Sequence, residues 1–131
     1  MLESPWISSF NIKPEPELEY IVVITYLPLK SYLSFFEFFK HVRFVQEQLQ
    51  QTHGFIGFKL RADILTKKSY TMSVWEDAGS LKKFITSGTH GDLMSNCPEY
   101  LGDDRKFITV FIPGSDYPPC WEWAMEKLKN N

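Results

Sequence analysis

The sequence predicts an α+β domain of βαββαβ order, and three observations carry that prediction. Residues 20–27, YIVVITYL, form an unbroken β-branched and aromatic run, the pattern of a strand buried on both faces. Residues 54–65 and 69–75 alternate apolar with polar on either side of a short turn, the pattern of an antiparallel hairpin. Apolar positions then recur at helical spacing after the first run and again after the hairpin, and a final alternation spans residues 105–113. Such an order is the split βαβ, or ferredoxin-like, layout: a four-stranded antiparallel sheet with helices on one face.

In chain order, residues 1–19 carry Pro5, Pro14 and Pro16 and read as an extended lead-in, with Trp6, Ile7 and Phe10 apolar enough to pin it to the body of the fold or to a partner. Pro28 ends the first strand. Ser31 or Ser34 can cap the helix that follows, whose inward stripe is Phe35, Phe38, Phe39, Val42, Val45 and Leu49, with Gly54 as its stop. Leu33 and Phe44 fall on the outer side of that helix, where a C-terminal helix is expected to cover them. In the hairpin, Ile56, Phe58, Leu60, Ala62 and Ile64 share one face, while Gly57, Arg61, the hydroxyls of Ser69, Thr71 and Ser73, and Trp75 are assigned to the other. A second helix runs over residues 78–86 with Leu81, Phe84 and Ile85 inward, and Gly88 breaks it. After the last strand and a PGSDYPP loop, Trp121, Ala124, Met125 and Leu128 predict an extra C-terminal helix. The domain is expected over residues 20–113, with residues 114–131 packing on it.

The chain has 131 residues, 44% of them hydrophobic and 16% aromatic, enough for one packed core. A formal charge of −2 without a basic stripe sets nucleic acid aside as a partner. Cys97 and Cys120 lack metal or redox spacing and are expected as free thiols. No signal-peptide pattern is present and no apolar run approaches the roughly 20 residues of a membrane helix, so a cytoplasmic protein with no membrane partner is expected. Four strands with an uncovered, half-apolar face should bury that face, and the simplest closure is a second copy laid against it. A homodimer, a dimeric α/β barrel with a cavity between sheet and helices, is the expectation.

One stretch carries a resemblance. A strand ending Ser73-Val74-Trp75-Glu76, a helix with a central Phe84, and His90 fifteen residues after the tryptophan resemble the dimeric α/β-barrel superfamily. Within it, the pattern is similar to antibiotic-biosynthesis-monooxygenase-like small domains related to spheroidene monooxygenase. The resemblance spans residues 20–113 and implies the fold more strongly than any reaction. It also implies a range of chemistries: cofactor-independent oxygenation of aromatics, heme binding or degradation, and small lyase or isomerase reactions. Heme-degrading members use a histidine from this region as iron ligand, with a tryptophan nearby on the helix and an asparagine on the first strand. His90 matches the ligand, Phe84 stands where the tryptophan would be, and residues 20–27 contain no asparagine. These departures count against heme degradation, not against heme binding.

The candidate site follows. His90 is the candidate catalytic group, as a general base or, if heme is bound, as the metal ligand; the alternative is a structural histidine that caps a helix. Trp75, Phe84, Met72 and Phe107 are expected to line an apolar cavity for a small apolar or aromatic ligand. Arg61 is expected to hold a ligand carboxylate or to pair with Asp63 or Glu76. The cofactor is none or heme. No HxH, HExxH, GxGxxG, Walker or GxSxG pattern occurs. Two functions remain: a monooxygenase-like oxidoreductase, or a non-catalytic dimeric ligand-binding or stress-responsive barrel.

Overall fold

The computed structural model describes residues 2–10, 12–86 and 104–130. The expected order is present as β3 (Glu19–Pro28), α1 (Ser34–Gln50), β4 (Phe55–Asp63), β5 (Lys68–Trp75), α2 (Ala78–Ile85) and β6 (Lys106–Pro113). Two short strands, β1 (Leu2–Glu3) and β2 (Ile7–Ser8), precede these, and α3 (Trp121–Lys129) closes the chain. Strands run β4-β5-β3-β6 in space, all antiparallel, so the two strands buried in the middle are the β-rich run 20–27 and the return arm of the hairpin.

The sheet has six strands where four were expected, because the lead-in is strand and not merely extended chain. Leu2 and Glu3 pair with Ala62 and Arg61, and Ile7 and Ser8 with Phe58 and Gly57. Ser4 donates its N–H to the Leu60 carbonyl and accepts the Leu60 N–H on its hydroxyl, both at 2.9 Å. Pro5 lies between the two pieces, where an edge strand tolerates a missing donor. Trp6 packs on Tyr117 at 5.6 Å, whereas Phe10, expected as a pin, is 88% exposed.

Side chains alternate across the sheet into two apolar layers. On one side Ile21, Phe58, Leu60, Ala62 and Trp75 meet Phe35, Phe38 and Leu49 of α1 and Phe84 of α2. Val42 and Val45 complete the predicted stripe as partly buried members, while Phe39 lies at its rim against Phe35 and Phe38. On the other side Tyr20, Val22, Ile24, Met72, Val74 and Ile112 meet Trp121, Ala124 and Leu128 of α3.

The second layer corrects an expectation. The C-terminal helix lies against the sheet face opposite α1 and α2, not over Leu33 and Phe44, which are 75% and 44% exposed. The sheet face that the sequence left for a second copy is therefore covered by the chain's own helix. Physically, the stripe of Trp121, Ala124 and Leu128 removes more apolar surface from water on a six-residue hydrophobic face than on the polar outer side of α1.

A β-bulge decides one further difference. The β4–β5 register slips between Phe55 and Gly57, so Phe55 faces Trp75 on the α1 side and Ile56 turns to the α3 side. Gly57 then lies under Tyr117 and Trp6, and a Cβ there would run into the Tyr117 hydroxyl. Gly57→Ala is expected to cost about 1–3 kcal/mol through overpacking, read as a lowered urea midpoint with an unchanged slope.

The α2 helix starts on Asp77, whose carboxylate accepts the Ser80 N–H at 2.7 Å. That bond, from the Ser80 backbone first, holds the Asp77 carboxyl below the usual carboxylate range. A carboxylate depressed on folding contributes stability above its unfolded pKa, near 3.9, and loses it as pH falls through the lower folded value. Asp77→Ala should cost about 1 kcal/mol at pH 7, and the gap between the two proteins should close in acid. Urea midpoints at pH 7 and below pH 3 check both statements.

Candidate functional site

Trp75 and Phe84 are in contact, on the sheet face of Phe58, Leu60 and Ala62 and not on the opposite one expected for Trp75. Trp75 ends β5 with no exposed surface, and its ring centroid is 5.0 Å from Phe84 and 5.9 Å from Phe55. The indole N–H donates to the Ser73 hydroxyl two residues back, at 2.9 Å. The serine and the tryptophan of the SxW pattern thus share a face and satisfy one another, as a buried indole requires.

Met72 and Arg61 are not part of that group. Direct cross-strand partners lie on the same face, and Arg61 opposes Tyr70 while Met72 opposes Ile24 and Lys59. Both therefore lie on the α3 side, Met72 fully buried. The sequence assignment of Gly57 and Arg61 to one face with Trp75 is corrected for the same reason: the bulge shifts β4 by one residue against β5. Arg61 stands beside Tyr70, whose hydroxyl pKa is raised chiefly by burial and pulled the other way by the guanidinium.

Phe107 lies on the α1 and α2 side of the edge strand β6, opposite Thr25, and is 49% exposed. Phe111, four residues on and opposite Ile21, is 62% exposed. Both rings stand exposed at the margin of the helix-covered face, on the same side of β6. His90, with Gly88 and Cys97, lies outside the described residues. Residues 87–103 connect α2 to β6 and so join the two elements that carry Phe84 and Phe107.

Two other features belong to the picture. An open cleft of about 300 Å³ lies at the start of α2, lined by Thr52, His53, Asp77, Gly79, Ser80 and Lys83. Its His53 is exposed and lies 4.0 Å from Glu76, a surface pair of small energetic weight. On the α3 side, Tyr26, Tyr70 and Trp121 form an aromatic chain, with centroids 5.3 and 6.4 Å apart. Sequence reading missed this chain because it depends on where α3 docks.

The described residues do not form a heme slot. Trp75 and Phe84 contact each other, Met72 and Arg61 lie across the sheet, and the iron ligand of that reading is His90 alone. Among the described residues no three metal-binding side chains cluster, and no helix is long and apolar enough to cross a membrane.

No protein-family model matches the sequence, and no curated protein sequence matches it. Solved structures do match. A conserved protein from Methanosarcina mazei Go1 superposes with a TM-score of 0.63 at 18% identity, over 72% of this chain and 94% of that one. A protein from Nitrosomonas europaea, described as a "putative antibiotic biosynthesis monooxygenase", gives 0.62 at 15% identity over 82% and 98% of the two chains. The chain has the fold of antibiotic-biosynthesis-monooxygenase-like domains. A structure from Lactobacillus acidophilus NCFM, described as a "putative monooxygenase", agrees at a TM-score of 0.62 and 10% identity, with 83% of this chain matching 51% of that longer one. At these identities the likeness concerns the backbone, and the monooxygenase-like fold is what it establishes.

Proposed function

We propose that the chain is a monooxygenase-like oxidoreductase acting on a small lipophilic or aromatic molecule, with His90 as the group that meets it. The observation that carries this reading is the fold shared with proteins described as monooxygenases. The exposed rings of Phe107 and Phe111, on the sheet face that also carries the buried Trp75 and meets Phe84, add apolar surface suited to such a molecule. In the cofactor-free form, an imidazole takes a proton from an electron-rich substrate near neutral pH, and the exposed Phe107 and Phe111 rings give the apolar part of that substrate a surface to rest on. No step is assigned to heme.

The test is oxygen consumption by the purified protein with a panel of hydroquinones and anthrones, followed by His90→Ala. Turnover that disappears in His90→Ala while Phe107→Ala weakens substrate affinity supports the reading. Turnover that survives His90→Ala overturns the role of that residue, and no turnover with any member overturns the reaction. A hemin titration read at the Soret band tests the heme form separately.

A second reading, a non-catalytic ligand-binding barrel, is favoured by one observation. The Trp75 N–H is already bonded to Ser73 and its ring is sealed, so the predicted wall offers a ligand no polar handle. Under that reading His90→Ala lowers stability and changes no chemistry.

A further inference from the structure

The end of the sheet where β3 runs into α1 has a surface unlike the rest of the molecule. The four-residue turn between β4 and β5 carries Leu65, which is 84% exposed. The start of α1 lies against that turn: the Tyr32 hydroxyl donates to the Leu65 carbonyl at 3.1 Å, and the Leu29 N–H donates to the Lys67 carbonyl at 2.8 Å. Leu33 and Phe36 stand beside Tyr32, one helical turn apart, each 75% exposed. Four large apolar side chains, Tyr32, Leu33, Phe36 and Leu65, are thus exposed at this end of the sheet.

Charge is segregated around it. Lys30, Lys67 and Lys68 lie within the tip, with the Lys67 ammonium 5.4 Å from the centre of the Tyr32 ring, and Lys40 follows Phe36 by one helical turn. Asp63 and Glu37 are the acids nearest to them. The opposite ends of the strands carry Glu17, Glu19, Glu76, Asp77 and Asp116. The apolar tip is therefore flanked by Lys30, Lys67 and Lys68, with Asp63 opposite Lys68, Glu37 after Phe36 and Asp104 before β6 at the same end, while the five acids named above stand at the other.

We propose that this tip docks on an anionic lipid surface, with Leu33, Phe36 and Leu65 entering the headgroup boundary and Lys30, Lys67 and Lys68 meeting lipid phosphates and carboxylates. Exposed leucine and phenylalanine interleaved with lysine is the chemistry of interfacial binding. A second copy seated on the same patch would set these lysines against one another, a repulsive arrangement. Docking of this kind needs no membrane-spanning segment. It rests on surface residues only and is independent of the reaction proposed above, although it would place the protein where lipophilic substrates partition.

The experiment is flotation of the full chain with vesicles of phosphatidylcholine alone and of an equal phosphatidylcholine and phosphatidylserine mixture. The protein should float with the mixed vesicles only, and added salt should release it. Lys30→Ala with Lys68→Ala should weaken binding on the order of twenty-fold, because each basic residue near such a surface contributes about fivefold. Leu65→Asp should abolish flotation with its circular dichroism and melting temperature unchanged, since the side chain is exposed. No flotation of the wild type, or flotation retained by Leu65→Asp, overturns the proposal. So does sedimentation showing a dimer that Leu65→Asp dissociates, which would make a second copy the occupant.

Discussion

Trp75→Ala is expected to lower the free energy of unfolding by about 3–5 kcal/mol, the cost of emptying a large aromatic site in a closed core. Such a loss is a large part of the 5–15 kcal/mol that typically separates folded from unfolded states. Trp75 has no exposed surface and joins three elements at once, through Phe55 of β4, Phe84 of α2 and its own strand. The substitution also strands the Ser73 hydroxyl, which now accepts the indole N–H. Trp75→Phe keeps most of the ring volume and should cost markedly less. Urea denaturation followed by far-ultraviolet circular dichroism checks both. A Trp75→Ala protein as stable as the wild type would show that the α1 side of the sheet is not packed as described.

Removal of residues 114–131 should have a larger consequence, because it uncovers a whole sheet face. Tyr20, Val22, Ile24, Met72, Val74 and Ile112 would then face water, an apolar patch beyond what a soluble monomer usually exposes. The truncated chain should self-associate or precipitate, and any soluble fraction should bind a hydrophobic dye and sediment as a dimer or larger. Two such sheets stacked face to face would sit about 10 Å apart, the spacing of a packed sandwich. Trp121→Ala tests the same contact more gently, at an expected cost of about 3–5 kcal/mol. The Trp121 N–H is buried without a hydrogen-bond partner among the described residues, so Trp121→Phe should be tolerated better than the alanine variant. A monomeric, soluble truncated chain with an unchanged melting temperature would mean that α3 contributes nothing to closure.

Several elements were legible because their signals are local. The run at residues 20–27 is central strand by composition alone, and it does lie between two strands. The stripe of Phe35, Phe38, Val42, Val45 and Leu49 fits a helix at one spacing only, and all five residues belong to the α1-side core. Asp77 capping α2 through Ser80 marks a helix start that residue type suggests, whereas α1 stops at Gln50, ahead of the expected Gly54, whose φ of +88° belongs to the turn into β4. Of the candidate site, the residue types were legible but not the face of Trp75, which lies with Phe58, Leu60 and Phe84 because pairing with β4 and β3, not local alternation, sets which side it takes. His90 lies outside the described residues, and its role stands as proposed.

Other features depend on pairings between distant residues, which periodicity cannot report. The slip at Ile56 moves Arg61 to the face away from Trp75, and a one-residue bulge leaves no signature in an alternating run beyond a glycine. The lead-in becomes strand only because β4 offers an unpaired edge.

The amino-acid sequence by itself determined the elements, their order and the inward stripe of each helix, since these follow from side-chain spacing along one segment. The tertiary structure alone decided which sheet face each stripe covers. An apolar stripe specifies that it must be buried but not against what, and α3 could satisfy Trp121, Ala124 and Leu128 on any apolar partner within reach of its loop. It closes the second sheet face from within the chain because that face presents the larger apolar surface, and there the burial of hydrophobic area is greatest.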